Sequence, residues 1–380
     1  MTTCIELARD ESSAVISPIG ASLVSFTVGD RPIVVSMEAF DGAVLAPWPN
    51  RIDGGRFDFD GIEHRLPITE PEHDTALHGL VADVDWTVAE RTESSVRLEY
   101  ALAPSEGYPF PFSLSVSYDL AEAGLRISAS AVNTGSVRAP FGFGFHPWLS
   151  PGGISLSPGG ASDAAPVDGV ADAPTPTADG ATGKPAHTAC TSTPGLVDSA
   201  QLLIPATTWY ETDDRLIPTK VRPFDDGTVI PADHVADESA CIVCKDFRAL
   251  RSIGGAVLDD AFGAPRRGPG GWSRARLRGA DDCEIIIGMG PEFRTWQVCT
   301  GDGLDPEMAR RAIAIEPMTC PPNAFATGES GEDFDTVGPG EELSVAWSIS
   351  LEASGESADA GADGTEGAGA DSNADTDGAA

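Results

Sequence analysis

Apolar and polar residues alternate strictly along four stretches of the chain. Their apolar positions are Val96, Leu98, Tyr100 and Leu102; Phe112, Leu114, Val116 and Tyr118; Leu125, Ile127, Ala129 and Ala131; and Leu343, Val345, Trp347, Ile349 and Leu351. A period of two places one face of a strand on a core and the other toward water. Helical signals are few and short, as at residues 306–311, and strands do not alternate with helices. The pattern therefore predicts an all-β fold, a large antiparallel sandwich, and argues against Rossmann and TIM-barrel folds.

Two segments lack the residues that build a core. Residues 353–380 contain no aromatic residue, no aliphatic residue larger than Ala, and seven carboxylates without a basic residue. Residues 157–195 are rich in Ala, Pro, Gly, Thr and Asp. Because neither can bury enough apolar surface to offset its ordering entropy, we predict a disordered insertion and an acidic disordered tail. Residues 1–352 would then form a single domain around the insertion, with a further polar loop at 225–238.

The charge of the chain limits its partners. It has 24 Lys and Arg against 59 Asp and Glu, which gives a formal net charge of −35. Nucleic acids and anionic membranes are poor partners, because a protein binds them largely through basic residues that neutralise phosphates. A small neutral molecule is favoured instead, bound by a monomer or a weak homodimer. No signal peptide or apolar run of about 18 residues is visible, which predicts a cytoplasmic location.

The cysteines and glycines give no indication of a metal or a cofactor. Seven scattered cysteines are typical of reduced thiols. Cys241 and Cys244 form a lone C-x-x-C with His234 upstream, but zinc or redox chemistry would need a second pair or a βαβ context, so we interpret them as loop residues. The chain contains no nucleotide-binding glycine motif, nucleophile elbow or H-E-x-x-H sequence.

Four short islands combine titratable and aromatic residues with prolines and glycines. They span residues 45–57, 76–80, 141–148 and 314–325. Glu316 follows an apolar run, so its carboxylate should leave a buried strand, where desolvation raises the pKa. His146 ends a Phe- and Gly-rich strand and is followed by Pro147. Taken singly, each residue could equally be a hydrogen-bonded core residue or a strand-end cap.

Taken together, the islands resemble the aldose 1-epimerase (galactose mutarotase) family. The matching pieces follow the family's order: Asn50-Arg51-Ile52 with Gly55 and Phe57, Leu77-His78-Gly79, His146-Pro147-Trp148, Leu258-Asp259-Asp260-Ala261-Phe262, Trp296-Gln297-Val298-Cys299-Thr300, Glu316-Pro317-Met318-Thr319 with Pro321-Pro322-Asn323-Ala324-Phe325, and Gly338-Pro339-Gly340-Glu341. They extend over most of the chain and leave out the predicted insertion and tail.

The resemblance implies a large antiparallel β-supersandwich with a sugar cleft on one face. It also implies interconversion of the α and β anomers of a free aldohexose such as glucose or galactose, without metal or cofactor. By resemblance Glu316 is the base, His146 the acid, and His78 assists at the ring oxygen or orients the sugar. Arg51 and Asp259 would hold sugar hydroxyls, although the neighbouring Asp260 could take that place.

Free Glu and His have pKa values of about 4.3 and 6.5, so modest burial would bring the pKa values of Glu316 and His146 close to neutral pH. The net charge should also favour a protonated imidazole. The sequence-based expectation is a bell-shaped pH profile, with an acidic limb from the carboxyl group and an alkaline limb from the imidazole. Two alternatives stay open, a hexose-phosphate 1-epimerase of the same superfamily and a non-catalytic sugar-binding module.

Overall fold

The computed structural model describes residues 3–152, 196–224, 245–327 and 332–353. The predicted insertion at 157–195, the loop at 225–238, the Cys241–Cys244 pair and, apart from Ala353, the acidic tail lie outside these residues. The division into one domain with an insertion and a tail therefore stays a prediction. No helix in the described ranges is both long enough and apolar enough to span a membrane.

Short strands make up most of the described chain. In the first part of the chain they are β1 (Ile5–Arg9), β2 (Ser12–Ser17), β3 (Ser22–Val28), β4 (Arg31–Val34), β5 (Val44–Leu45), β6 (Arg51–Asp53), β7 (Arg56–Phe59), β8 (Ile62–Arg65), β9 (Thr75–Leu77), β10 (Thr87–Arg91), β11 (Ser95–Leu102), β12 (Phe112–Ala121), β13 (Gly124–Asn133), β14 (Ala139–Phe141), β15 (Gly144–Phe145) and β16 (Trp148–Leu149). In the second part they are β17 (Gln201–Leu203), β18 (Ala206–Thr212), β19 (Pro218–Pro223), β20 (Arg251–Ser252), β21 (Asp259–Pro265), β22 (Ser273–Arg278), β23 (Cys283–Met289), β24 (Thr295–Cys299), β25 (Ile313–Met318), β26 (Asp335–Val337) and β27 (Glu342–Ala353).

Two large sheets carry the fold. A twelve-stranded sheet has the order β1-β2-β3-β4-β16-β25-β24-β21-β18-β19, with β15 and β5 attached beside β25. A nine-stranded sheet has the order β10-β11-β12-β13-β27-β23-β22-β17-β20. Three two-stranded pairs, β6-β9, β7-β8 and β14-β26, complete the described strands. The strand ladders are antiparallel, as the sequence pattern predicts.

The core lies between the two large sheets. One continuous cluster of buried apolar side chains includes Phe26 and Ile315 of the twelve-stranded sheet and Ile127 and Trp347 of the nine-stranded sheet. The predicted alternation is confirmed in β12, where Phe112 to Tyr118 are buried at every second position and the serines between them are exposed or half-buried. In β27 the two outermost apolar residues are only partly buried.

The short helical signal at residues 306–311 is wrong. This stretch forms successive turns, in which the amides of Met308 and Ala309 both donate to the carbonyl of Asp305. Arg310 adopts a positive φ of 56°, which ends helical geometry, and its guanidinium group pairs with Asp198 and Asp302 at 2.6 and 2.9 Å. Within the described ranges, the α-helical residues are Ala324–Thr327, and 3-10 turns occupy Leu196–Ser199 and Pro269–Gly271.

Candidate active site

Three neighbouring strands bring polar side chains to the outer face of the twelve-stranded sheet. Gln297 of β24 pairs with Glu316 of β25, and Cys299 of β24 pairs with Asp259 of β21. Because side chains two residues apart share a face, these four side chains project from the same side of the sheet. Val298 and Ile315, which are neighbours of these residues along β24 and β25, belong to the core on the other side of the sheet. The period of two thus separates the core from the candidate site.

The same alternation separates two adjacent aspartates of β21. Asp259 lines the cavity and accepts a hydrogen bond from Gln297 at 2.6 Å. Asp260 points the opposite way, where Lys245 and Trp209 donate to it at 2.6 and 2.7 Å. Asp260 is buried and fully engaged in this ion pair. The geometry therefore places Asp259, and not Asp260, where a sugar hydroxyl could reach it.

A small antiparallel pair positions Arg51 and His78. Arg51 of β6 lies opposite Leu77 of β9, so His78 follows directly after the paired residue. The amide of Asn50 donates to His78 Nδ1 at 3.2 Å, and the amide of His78 donates to the carbonyl of Asn50 at 3.0 Å. The next residue must be Gly79, because a Cβ there would lie 2.1 Å from the carbonyl oxygen of Ala46. Because His78 Nδ1 accepts the hydrogen bond from the amide of Asn50, the neutral ring carries its proton on Nε2.

Glu70 holds the guanidinium group of Arg51. Its two carboxylate oxygens accept from Nε and Nη2 of Arg51 at 2.8 Å each, and Thr75 donates to it at 2.6 Å. Nη1 of Arg51 is left facing Asp259, at 3.6 Å. Burial acts to raise the pKa of Glu70, but the hydrogen bonds from Arg51 and Thr75 lower it to about 2. Arg51 is therefore oriented from behind by a buried carboxylate that stays ionised.

Glu316 and His146 form the buried centre of the site. His146 Nε2 lies 3.5 Å from Glu316 Oε1, and the Glu316 side chain is 2% exposed. Glu316 Oε2 and His146 Nδ1 are buried and have no hydrogen-bond partner among the described residues. A buried polar atom without a partner costs stability. The pair is consequently a place where a polar ligand would gain hydrogen bonds.

Burial shifts the two pKa values in opposite directions, and the downward shift of His146 corrects the sequence-based expectation. Burial, and next the charge of Asp259, raise the pKa of Glu316 well above its usual range. Burial lowers the pKa of His146 to about 4, and the opposing charge of Asp41 does not compensate. With a pKa of about 4, His146 is neutral at pH 7, and burial favours the protonated form of Glu316. The acidic net charge fails to hold a proton on the imidazole because desolvation outweighs it.

His78 lies against His146 with ring centroids 5.4 Å apart. Burial, and next His146 and Arg51, lower the pKa of His78 well below its usual value. His78 is thus a neutral imidazole that can donate from Nε2. Burial also raises the pKa of Asp259, although the charge of Arg51 acts against the shift.

A cavity of about 390 Å³ connects all five sequence-predicted residues, Arg51, His78, His146, Asp259 and Glu316. This volume is within the range of about 300–1,000 Å³ that is common for small-molecule sites. The lining also includes residues to which the sequence analysis gave no role, namely Phe40, Asn50, Glu70, Trp148 and Gln297. Asn50, Trp148 and Gln297 lie within the matching motifs. Glu70 and Phe40 are in irregular loops without a recognisable pattern.

Comparison with known proteins agrees with this architecture. The chain shares its fold with a galactose mutarotase-like protein from Clostridium acetobutylicum, with a TM-score of 0.69, 16% identity, and 93% and 96% of the two chains covered. It also matches a GalM/aldose epimerase homologue from C. elegans, with a TM-score of 0.66, 17% identity, and 93% and 99% covered. The fold is therefore that of galactose mutarotase-like proteins.

Sequence comparison points in the same direction. The profile of the aldose 1-epimerase family matches residues 3–179. The uncharacterized protein YihR of Escherichia coli K12 is 28% identical over 332 residues, covering 85% of this chain and 86% of YihR. Residues 3–179 of the chain are thus similar to the aldose 1-epimerase family. The profile match contains Arg51, His78 and His146, whereas Asp259 and Glu316 lie beyond it and join the site through the fold.

Proposed function

We propose that this protein interconverts the α and β anomers of a free aldohexose by general acid–base ring opening. The observation that carries the proposal is the buried contact between Glu316 and His146, 3.5 Å long, inside a cavity that Arg51, Asp259 and His78 also line. Ring opening removes a proton from the anomeric hydroxyl group and adds one to the ring oxygen. Both oxygens are bonded to C1, so a base and an acid in contact with each other can serve them together.

In the proposed mechanism Glu316 acts as the base and His146 as the acid. This requires an ionised carboxylate beside an imidazolium ion, whereas burial favours two neutral groups. The two forms contain the same single proton and differ only in which partner holds it. A bound sugar would supply hydrogen bonds to the unpartnered Glu316 Oε2 and His146 Nδ1. Hydrogen bonds to the charged forms would lower the cost of reaching the reactive arrangement.

The remaining polar groups would hold the sugar while the ring opens. Nη1 of Arg51 and Nε2 of His78 are donors, and the Asp259 carboxylate is an acceptor. Asp259 is held by Gln297 and Arg51 is held by Glu70, so both are fixed before a sugar arrives. Fixed binding groups keep the anomeric carbon beside the acid and the base.

The cavity favours a neutral sugar over a hexose phosphate. Among the residues that the structure describes, Arg51 is the only Lys or Arg that lines the cavity, and Glu70 already occupies two of its nitrogens. Three acidic residues, Glu72, Asp259 and Asp302, also line the cavity. A phosphate group requires an excess of basic donors, and the lining residues do not provide one.

Polarimetry of freshly dissolved α-glucose and α-galactose tests the proposal. We expect the protein to accelerate the approach to anomeric equilibrium, and to have little effect on the 6-phosphate of either sugar. A preference for the phosphates would support the hexose-phosphate alternative. Sugar binding in a calorimeter without any acceleration would instead indicate a non-catalytic binding module.

A further inference from the structure

Phe40 is a large apolar residue that stays exposed at the mouth of the candidate site. Its side chain is 43% exposed, although most of the aromatic residues of this chain are buried. The ring lies edge-on to His78, with centroids 4.6 Å apart, and 5.8 Å from the ring of His146. One part of the ring therefore covers the two histidines, while the rest faces the cavity.

The backbone at Phe40 is strained. Its φ is +51°, in the left-handed region that costs an L-residue roughly 1–2 kcal/mol and is unusual for a bulky side chain. Glu38, two residues earlier, has a φ of +58° but does not line the cavity. Strain of this kind persists only where the surrounding structure enforces it, and it is concentrated at functional sites.

The surrounding contacts do enforce it. The Asp41 carboxylate accepts from the amides of Met37 and Glu38 at 2.7 and 3.3 Å and from the Ser36 hydroxyl group. Gly42 donates its amide to the carbonyl of His146 at 2.9 Å. A Cβ on Gly42 would lie 2.2 Å from the carbonyl oxygen of Leu23.

The side chain of Trp148 also ties the loop to the site, and a backbone hydrogen bond closes the turn at Phe40. Trp148 Nε1 donates to the carbonyl of Ala39 at 2.7 Å, and the amide of Ala43 donates to the carbonyl of Phe40 at 2.9 Å. The loop that carries Phe40 is thus anchored to the segment that carries His146. The Phe40 ring is held against His78 and His146 at the expense of backbone strain.

We propose that Phe40 is a sugar-binding residue whose exposed ring stacks on the apolar C–H face of a pyranose. This inference rests on the proposed function and names the feature of the substrate that the site would select. Covering the ring with the sugar would remove apolar surface of both from water. Pyranoses with a continuous C–H face, as in the galacto configuration, should bind better than those whose axial hydroxyl groups interrupt it.

The test compares Phe40→Gly with Glu38→Gly. Both substitutions introduce glycine at a positive φ in the same loop, so both relieve strain and both add freedom to the unfolded chain. We expect similar melting temperatures for the two variants. In calorimetry with methyl β-galactoside, which cannot change anomer, Phe40→Gly should weaken binding about tenfold, equivalent to about 1.4 kcal/mol, whereas Glu38→Gly should bind as the wild type does. Phe40→Trp, which keeps an aromatic ring at this position, should bind the sugar more tightly than Phe40→Gly.

Two results would overturn the inference. One is an unchanged dissociation constant in Phe40→Gly, and the other is a loss of melting temperature far beyond that of Glu38→Gly with binding retained, which would make Phe40 a packing residue. Polarimetry of the wild type separates this inference from the proposed function. Phe40-dependent binding without mutarotation would contradict the function alone, whereas mutarotation with an unchanged KM in Phe40→Gly would contradict only the inference.

Discussion

The outer faces of the two large sheets are built in opposite ways. On the nine-stranded sheet, the positions between the core residues of β12 and β13 are mainly serines that are exposed or half-buried. On the twelve-stranded sheet, the corresponding positions of β24 and β25 include Gln297 and Glu316, both buried. An exposed serine costs little, whereas a buried carboxyl group shifts its pKa and opposes folding. The comparison indicates that the outer face of the nine-stranded sheet costs the fold little, whereas the buried carboxyl group on the twelve-stranded sheet lowers its stability.

The substitution Glu316→Gln should lower activity and raise stability. Removing the base should lower kcat by about 10²–10⁴-fold. The pKa of Glu316 is raised in the folded protein, so the carboxyl group costs stability as pH rises above its unfolded value. The variant should therefore melt at a higher temperature at pH 7, with a gain that increases with pH. An unchanged rate in polarimetry would remove Glu316 from the mechanism.

Breaking the support of Arg51 should cost both stability and binding. Glu70→Gln leaves a buried guanidinium group without its carboxylate, and removing one partner of a buried pair typically costs about 3–5 kcal/mol. The pKa of Glu70 is lowered to about 2, so its contribution is present above its unfolded pKa and is lost as pH falls toward 2. Urea unfolding at pH 7 and pH 3 should show a smaller difference in the variant, and KM should rise.

Glu90→Gln is the matched control for that experiment. Glu90 pairs with Arg97 at 3.1 Å, and both side chains are well exposed. An exposed pair contributes about 0–1 kcal/mol, so unfolding should change little and KM should not change. Equal losses in the two variants would contradict a special role of the buried pair.

A cavity in the other sheet should affect stability alone. Ile127 of β13 is fully buried, and Ile127→Ala should destabilise the protein by about 2–5 kcal/mol with kcat unchanged below the melting transition. Ser128→Ala, on the exposed face of the same strand, should change stability by less than about 0.5 kcal/mol. A large loss of kcat in folded Ile127→Ala would mean that the two faces are not independent.

The pH profile gives the most specific effect. Activity requires the Glu316–His146 pair to hold one proton, so the rate should fall about tenfold per pH unit where the pair gains or loses one. The acidic limb should follow the imidazole, near its pKa of about 4, and the alkaline limb the raised pKa of Glu316. His146→Asn should lower kcat and remove the acidic limb, whereas His78→Asn should keep it. An acidic limb near 6.5 would contradict the buried, neutral His146.

The sequence predicts the strands and the residues of the site better than it predicts the pKa values of those residues. Period two along β12 and β13 indicates both strands and the face that is buried, because it follows directly from backbone geometry. The motifs around Arg51 and Glu316 indicate which residues belong together. The direction of the Glu316 shift follows from its apolar run, but the neutrality of His146 depends on burial by segments distant in sequence. The loop residues Glu70 and Phe40 carry no periodic signal at all.

The positions of the site residues have a kinetic consequence. Arg51 and Glu316 are far apart in the sequence, and they line one cavity only after β6 and β25 have both joined the fold. Pairings between such distant segments form slowly, because the intervening chain must lose much of its freedom first. Catalysis should therefore be among the last properties to return when the unfolded chain is diluted into buffer. The rate at which activity recovers would therefore report how fast the complete sandwich forms.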